Sequence, residues 1–300
     1  MRRLQKSDWG IAGLGDASLP RDLAVSDVNV AYSPDEFPKH LMIFEATFYI
    51  DHTVSSEVIM AFAQTFGGRL DRMTITDANL KSKSGKPDAE KIAQAPKAKY
   101  PPAHIQLFEK GKDGNNNFPL RSLMLARLSA ADDKDSMFSL IAQIPAEDES
   151  LVAADWWRLA AGAGLNAGHA YLMQWPVREI NYGMFAALTP DRPTQTWTDF
   201  DASCQRLMLE PDRFRPVLEG KMLRNVLPQN FMTDSLAETI KEKLRVTGLA
   251  TDGFDSLPQN RAVWTLPGPE VQRMAHRILY REGLVWEIDW IDLAGYLPNR

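Results

Sequence analysis

The sequence predicts an α+β protein, a mostly antiparallel sheet with helices packed on it and a helix-richer C-terminal part. Three observations predict it. Strand-like runs at 105–109, 122–128 and 137–144 follow one another with no helical pattern between them, which implies antiparallel neighbours rather than β–α–β units. The run 41–50 is rich in aromatic and β-branched residues and largely apolar on both faces, as a central strand requires. Beyond residue 191 two capped amphipathic helical patterns appear.

Taken in order, residues 1–37 form an irregular lead-in containing Gly10, Gly13, Gly15, Pro20 and Pro34. Gly13-Leu14-Gly15 is not a dinucleotide loop, because no predicted strand precedes it and no third glycine follows at the needed spacing. After the 41–50 strand, Thr53, Ser55 and Ser56 offer cap oxygens. Val58, Ile59, Phe62 and Phe66 recur at helical spacing until Gly67-Gly68. A strand is expected at 70–76. Between 79 and 102, six lysines (Lys81, Lys83, Lys86, Lys91, Lys97, Lys99) alternate with small residues and prolines, giving a solvated loop. Asp148 or Ser150 caps a helix whose face carries Val152, Trp156, Leu159, Ala160 and Ala163. A strand at 170–175 and a short helix at 179–188 follow, and the polar run 194–201 reads as a connection. Ser235 and Glu238 have capping-box spacing before Ile240 and Leu244, with Gly248 as the stop. A short strand at 262–266 precedes Pro269, which suits the first turn of a helix striped by Val271, Met274, Ala275, Ile278 and Leu279. A last strand at 285–291 is expected to place Trp286, Ile288 and Trp290 on one face and Glu287 and Asp289 on the other. The organisation expected is a lead-in (1–37), an α+β part (38–190) and a C-terminal α+β part (191–300), the last two separate or continuous.

Composition bounds the function. With 44% hydrophobic and 24% charged residues, 300 residues suffice for a sizeable core. No apolar run approaches the roughly 20 residues of a membrane-spanning helix. The basic start Met1–Lys6 is followed by Ser7, Asp8, Trp9 and Gly10, so no export signal is expected. A single cysteine, Cys204, offers no disulfide framework, and a cytoplasmic location is expected. The net charge of −5 argues against a large phosphate-binding face and suits a basic partner.

Candidates for chemistry are sparse. The histidines (His40, His52, His104, His169, His276) form no pair with metal-ligand spacing, so neither metal nor cofactor is expected. Asp51-His52 at a strand end is the best local acid–base candidate and the basis of an alternative enzymatic reading, although such residues more often serve turns. His169 is expected to be packed in a glycine-flanked turn, and His276 to face solvent or a boundary. Cys204 lacks a nucleophile signature and reads as a buried apolar residue. GxSxG, Walker and CxxC motifs are absent. A nucleic-acid module using the lysine-rich loop is a further alternative, weakened by the lack of interleaved aromatic residues before Tyr100. The remaining candidates are acidic and aromatic surfaces. Trp286, Glu287, Asp289, Trp290 and Asp292, and separately Asp132, Asp133 and Asp135, are the residues expected to dock a basic protein.

Four segments carry a family resemblance: Phe48-Tyr49-Ile50-Asp51-His52 leading into a helix, Gly168-His169-Ala170-Tyr171, Leu223-Arg224-Asn225-Val226-Leu227-Pro228, and Trp264-Thr265-Leu266-Pro267-Gly268-Pro269. Together they resemble the type VI secretion immunity proteins, including the group known as immunity protein fifty-two. The resemblance spans roughly residues 41–290. It implies a non-enzymatic protein that binds and neutralises a cognate secreted toxin, a nuclease of restriction-endonuclease type in that group.

Overall fold

The computed structural model describes residues 9–11, 41–51, 55–77, 81–88, 102–109, 121–128, 137–175, 180–181, 186–188, 195–249 and 251–288. Its centre is a ten-stranded sheet, ordered β12-β13-β11-β8-β2-β7-β6-β5-β3-β4, in which every neighbouring pair is antiparallel. The strands are β2 (Leu41–Asp51), β3 (Arg72–Thr76), β4 (Ser82–Gly85), β5 (His104–Phe108), β6 (Ser122–Arg127), β7 (Met137–Pro145), β8 (Ala167–Trp175), β11 (Gln229–Thr233), β12 (Phe254–Leu257) and β13 (Arg261–Thr265). The predicted α+β class and antiparallel sheet are therefore observed. β2 lies between β7 and β8, the central position its two-faced apolarity implied. The sheet also crosses the division expected near residue 191, since β8 pairs with β11.

Strand alternation sends successive residues to opposite faces. Phe44, Phe48, Leu140, Ile144, Leu123 and Phe231 point to one layer, formed by α1 (Ser56–Gln64) and α2 (Glu149–Gly162). Phe48 is fully buried there, its ring 5.3 Å from Phe62, 5.3 Å from Trp157 and 5.7 Å from Phe231. Trp156, also fully buried, donates its indole N–H to Thr65 Oγ1 at 2.8 Å, so the tryptophan keeps its polar partner inside the core. Gly168 stands opposite Phe48 in the β2–β8 register, and a Cβ there would meet the Phe48 ring at 2.7 Å and the Thr47 carbonyl oxygen at 2.8 Å. A glycine is needed for that close approach.

The other face is covered by helices from the C-terminal part. α3 (Gln195–Leu209) and α4 (Arg215–Leu218) bring Phe200, Cys204, Leu207, Phe214 and Val217 against Ile43, Tyr49 and Tyr171. α5 (Asp234–Val246) and α6 (Pro269–Arg281) pack Leu236, Ile240, Leu244, Ala275 and Leu279 around Trp264 of β13.

Several local expectations change. The short helix expected at 179–188 is two strands, β9 (Ile180–Asn181) and β10 (Ala186–Leu188), forming a three-stranded sheet with β1 (Trp9–Ile11) from the lead-in expected to be irregular. Gly183 weakens a helix at its middle, and pairing with β1 favours the extended form. The polar connection expected at 194–201 is the first half of α3; its apolar stripe of Phe200, Cys204 and Leu207 was visible at helical spacing. Part of the lysine-rich loop is an edge strand, β4, fully exposed and carrying Lys83, a placement that discourages edge-to-edge pairing. The cap of α5 is Thr233, whose hydroxyl accepts from Leu236 N at 3.3 Å, rather than Ser235. Asp148 occupies the cap position of α2 without capping it; its carboxylate accepts a hydrogen bond from Arg121 instead. No strand forms within described residues 285–288, which make one parallel bridge, Leu223 to Val285.

Candidate functional site

The second face of β2 and its neighbours carries polar residues at the alternating positions, where Glu45, Thr47 and Tyr49 of β2 sit beside Gln143 of β7 and His169 and Tyr171 of β8. Ser122 donates to Gln143 Oε1 at 3.0 Å, Gln143 donates to Glu45 Oε2 at 2.6 Å, and Tyr171 donates its hydroxyl hydrogen to Glu45 Oε1. Arg224, in the segment before β11, donates Nε–H to Glu287 Oε1 at 2.8 Å and Nη1–H to the Tyr49 hydroxyl at 2.8 Å. Asn225 donates to the second oxygen of Glu287, and the Tyr49 hydroxyl lies 3.4 Å from His169 Nδ1. The result is a polar seam of two hydrogen-bonded clusters, one around Glu45 and one around Arg224, which meet where the rings of His169 and Tyr171 stack with centroids 5.8 Å apart.

The seam is sealed from solvent. Glu45 is 1% exposed, His169 2%, Arg224 3% and Glu287 0%. Burial raises the Glu45 carboxyl above its ordinary value, against the opposing effects of Tyr171, Gln143 and the Arg224 charge. Burial likewise pushes the Tyr49 hydroxyl and the Cys204 thiol up, and together with the charge of Arg224 it holds His169 well below the usual histidine value. The Arg224–Glu287 pair sits in a setting where charges persist only when mutually paired and hydrogen-bonded. Chemically, the seam ties together residues 120 and more positions apart in sequence.

His104 is a second histidine on this face. Its Nε2 lies 3.0 Å from the Thr76 hydroxyl, which contacts Ser82 Oγ at 2.8 Å, and burial lowers its pKa from 6.5 to about 4. His104 and His169 both have folded values below the ordinary one, so their stabilising contribution is complete above about pH 6.5 and is lost on acidification, for His104 as pH falls towards about 4. Glu45, with a raised value, acts in the opposite sense, favouring the fold below pH 4.5 and losing that contribution as pH rises. The histidine contribution should lower the urea midpoint as the solution is acidified from about pH 6.5, and His104→Gln should make that fall shallower. An unchanged slope in that variant would remove His104 from the account.

The residues expected to dock a partner divide into two sets. Trp286 and Glu287 are interior: Trp286 lies under the Arg206 guanidinium at 3.9 Å and edge-on to Phe214 at 5.1 Å, and Glu287 is bound by Arg224 and Asn225. The expected alternation is not followed, because Trp286 and Glu287 are both buried whereas Ile288 is 53% exposed. The bridge at Val285 anchors the segment and aims the carboxylate inward. Asp289, Trp290, Asp292, Asp132, Asp133 and Asp135 lie outside the described residues, as does His52. Asp51 is the last residue of β2, opposite Met137. His169 lies within β8 rather than in a turn, and His276 is buried rather than at a boundary, its Nε2 3.0 Å from the Glu287 carbonyl oxygen. The packing of His276 follows from the arrival of 285–288 over α6, which no local pattern announces. Cys204 is buried as expected.

An open groove of about 1070 Å³ lies between α1 and α2 at the end of β2, lined by Glu57, Val58, Gln64, Asp155, Arg158 and Asn166 among others. Its charges are few, and Asp155 and Arg158 are within 3.5 Å of each other. Among the described residues no group of three His, Cys, Asp or Glu is placed to hold a metal ion, and no helix is long and apolar enough to cross a membrane.

No protein-family profile matches the chain, and no curated protein is similar to it. Among solved structures it is similar to one described as Pseudomonas aeruginosa T6SS protein PA0821, at 11% identity and a TM-score of 0.48, over 82% of this chain and 74% of that one.

Proposed function

We propose that the chain acts by binding another protein, as an immunity protein that neutralises a secreted bacterial toxin through one-to-one inhibition. The observation that supports this reading is the placement of the segments that carry the family resemblance. Phe48 and Tyr49, Gly168 and His169, Arg224 and Asn225, and Trp264 are all interior. They build the scaffold and perform no exposed chemistry, so the outer surface is the part that meets a partner. In this reading the protein is not an enzyme and inhibits by covering the toxin's active site or substrate path, over a standard-sized patch of about 800 Å². The expected toxin is a basic protein, in keeping with the chain's net charge of −5 and with the nuclease toxins associated with the resembling group.

Affinity purification of the tagged full chain from a host expressing the toxin tests the proposal. One toxin-like protein should co-elute in equal amount, and co-expression of the two should restore growth that the toxin alone prevents. Recovery of the chain by itself, with no effect on toxicity, would sink the proposal.

A further inference from the structure

α6 stands out by the chemistry of its outer face. At 100° per residue, Glu270, Arg273, Met274, Arg277, Tyr280 and Arg281 occupy one continuous arc of about 120°, and all six are exposed. Arg273, Arg277 and Arg281 recur every four residues, so their side chains leave the helix about 6 Å apart along its axis. Like charges one turn apart repel and disfavour the helix. Among the described residues, none of these three arginines makes an ion pair or hydrogen bond.

The surrounding cations behave differently. On the described chain from residue 210, Arg213, Arg215, Lys221, Arg224, Lys241, Lys243 and Arg245 each pair with a carboxylate, and Arg261 donates to backbone carbonyls. Among the described residues, the α6 stripe therefore presents positive charge without a carboxylate partner, in a chain whose net charge is −5. The apolar exposure is local too. Of the five large hydrophobic residues exposed among those described, Met274 and Tyr280 lie on this arc, and Val246 ends the neighbouring α5. Arginine, tyrosine and methionine are the side chains enriched where proteins bind proteins.

We propose that this face of α6 is a docking surface for an acidic, partly apolar patch on another protein. Charge complementarity sets the sign of the partner, and exposed Met274 and Val246 favour a protein, whose partly apolar patch can cover them, over a phosphate backbone, which offers aliphatic groups no partner. The inference does not depend on the partner being a toxin, and it adds a face of opposite charge to the basic partner expected above.

The test uses the full chain and a fluorescein-labelled peptide of alternating glutamate and leucine, read by anisotropy. The wild-type protein should bind it, and R273E/R277E/R281E should bind about tenfold more weakly or worse. The variant should melt at the wild-type temperature, because all three sites are solvent-exposed. If it does not, R273Q/R277Q/R281Q provides the comparison. Equal peptide affinity in wild type and variant would overturn the surface. Tighter binding of duplex DNA of matched charge, lost in the variant, would overturn the protein partner. A concentration-dependent dimer abolished by the variant would assign the face to a second copy instead.

Discussion

Arg224→Met is expected to lower the unfolding free energy by about 3–5 kcal/mol, because it leaves the fully buried Glu287 carboxylate without its cation. A domain is stable by only about 5–15 kcal/mol in total, so the variant should be close to unfolding at ambient temperature. The effect reaches beyond one pair. Arg224 also donates to Tyr49 of the central strand, so its loss loosens β2 from the segment that precedes β11. Urea unfolding of Arg224→Met and of the double variant Arg224→Met/Glu287→Met separates two contributions. If the penalty comes from the orphaned charge, the double variant should recover most of the loss, since apolar groups of similar volume often replace a buried pair at little cost. A loss below about 1 kcal/mol for the single variant, within the range of an exposed ion pair, would show that the seam is not what holds the C-terminal segment.

Phe48→Ala should cost about 3–5 kcal/mol, the range for emptying a fully buried aromatic site. Phe62, Trp157 and Phe231 surround the ring, and rigid strands carry two of the four aromatic residues, so collapse into the cavity is limited. Gly168→Ala attacks the same contact from the other side. Its new methyl group would lie 2.7 Å from the ring and 2.8 Å from the Thr47 carbonyl oxygen, an overpacking expected to cost about 1–3 kcal/mol. Thermal or urea unfolding of both singles and the double should show non-additivity. Removing the ring relieves one of the two clashes, so the double variant should lose less than the sum. Strict additivity would mean that Gly168 is required by the Thr47 backbone alone.

Residue pattern made much of this architecture legible. The uninterrupted runs that became β5, β6 and β7 implied antiparallel neighbours, and they are neighbours in that order. Pro269, the stripe through Ala275 and Leu279, and Gly283 delimited α6 almost to the residue. Local signals were weaker where an element depends on a distant partner. β10 exists as a strand beside β1, more than 160 positions away, with β9 on its other edge, and 179–188 alone reads as a helix. α3 was missed for a different reason: Gln195, Thr196, Thr198, Asp199 and Asp201 make its first turns mostly polar, and Pro190 and Pro193 precede it.

The candidate site was less legible than the fold. Trp286 and Glu287 attracted notice for their composition, an acid between aromatic and apolar neighbours, and composition cannot distinguish a solvated carboxylate from one held by Arg224 63 positions earlier. The same limit hid His169 and His276, whose partners come from other elements.

By itself, then, the sequence determined the α+β class, the central place of β2, the positions of α1, α2 and α6, and the burial of Cys204. These follow from periodicity and from the prolines and glycines that bound elements, which act over a few residues. Only the tertiary structure decided which charges are enclosed and which stand free. It placed Arg224 against Glu287 and left Arg273, Arg277 and Arg281 in solvent. The reason is physical: whether a charge costs or contributes free energy depends on the dielectric and the partners around it, and packing brings those partners from anywhere in the chain.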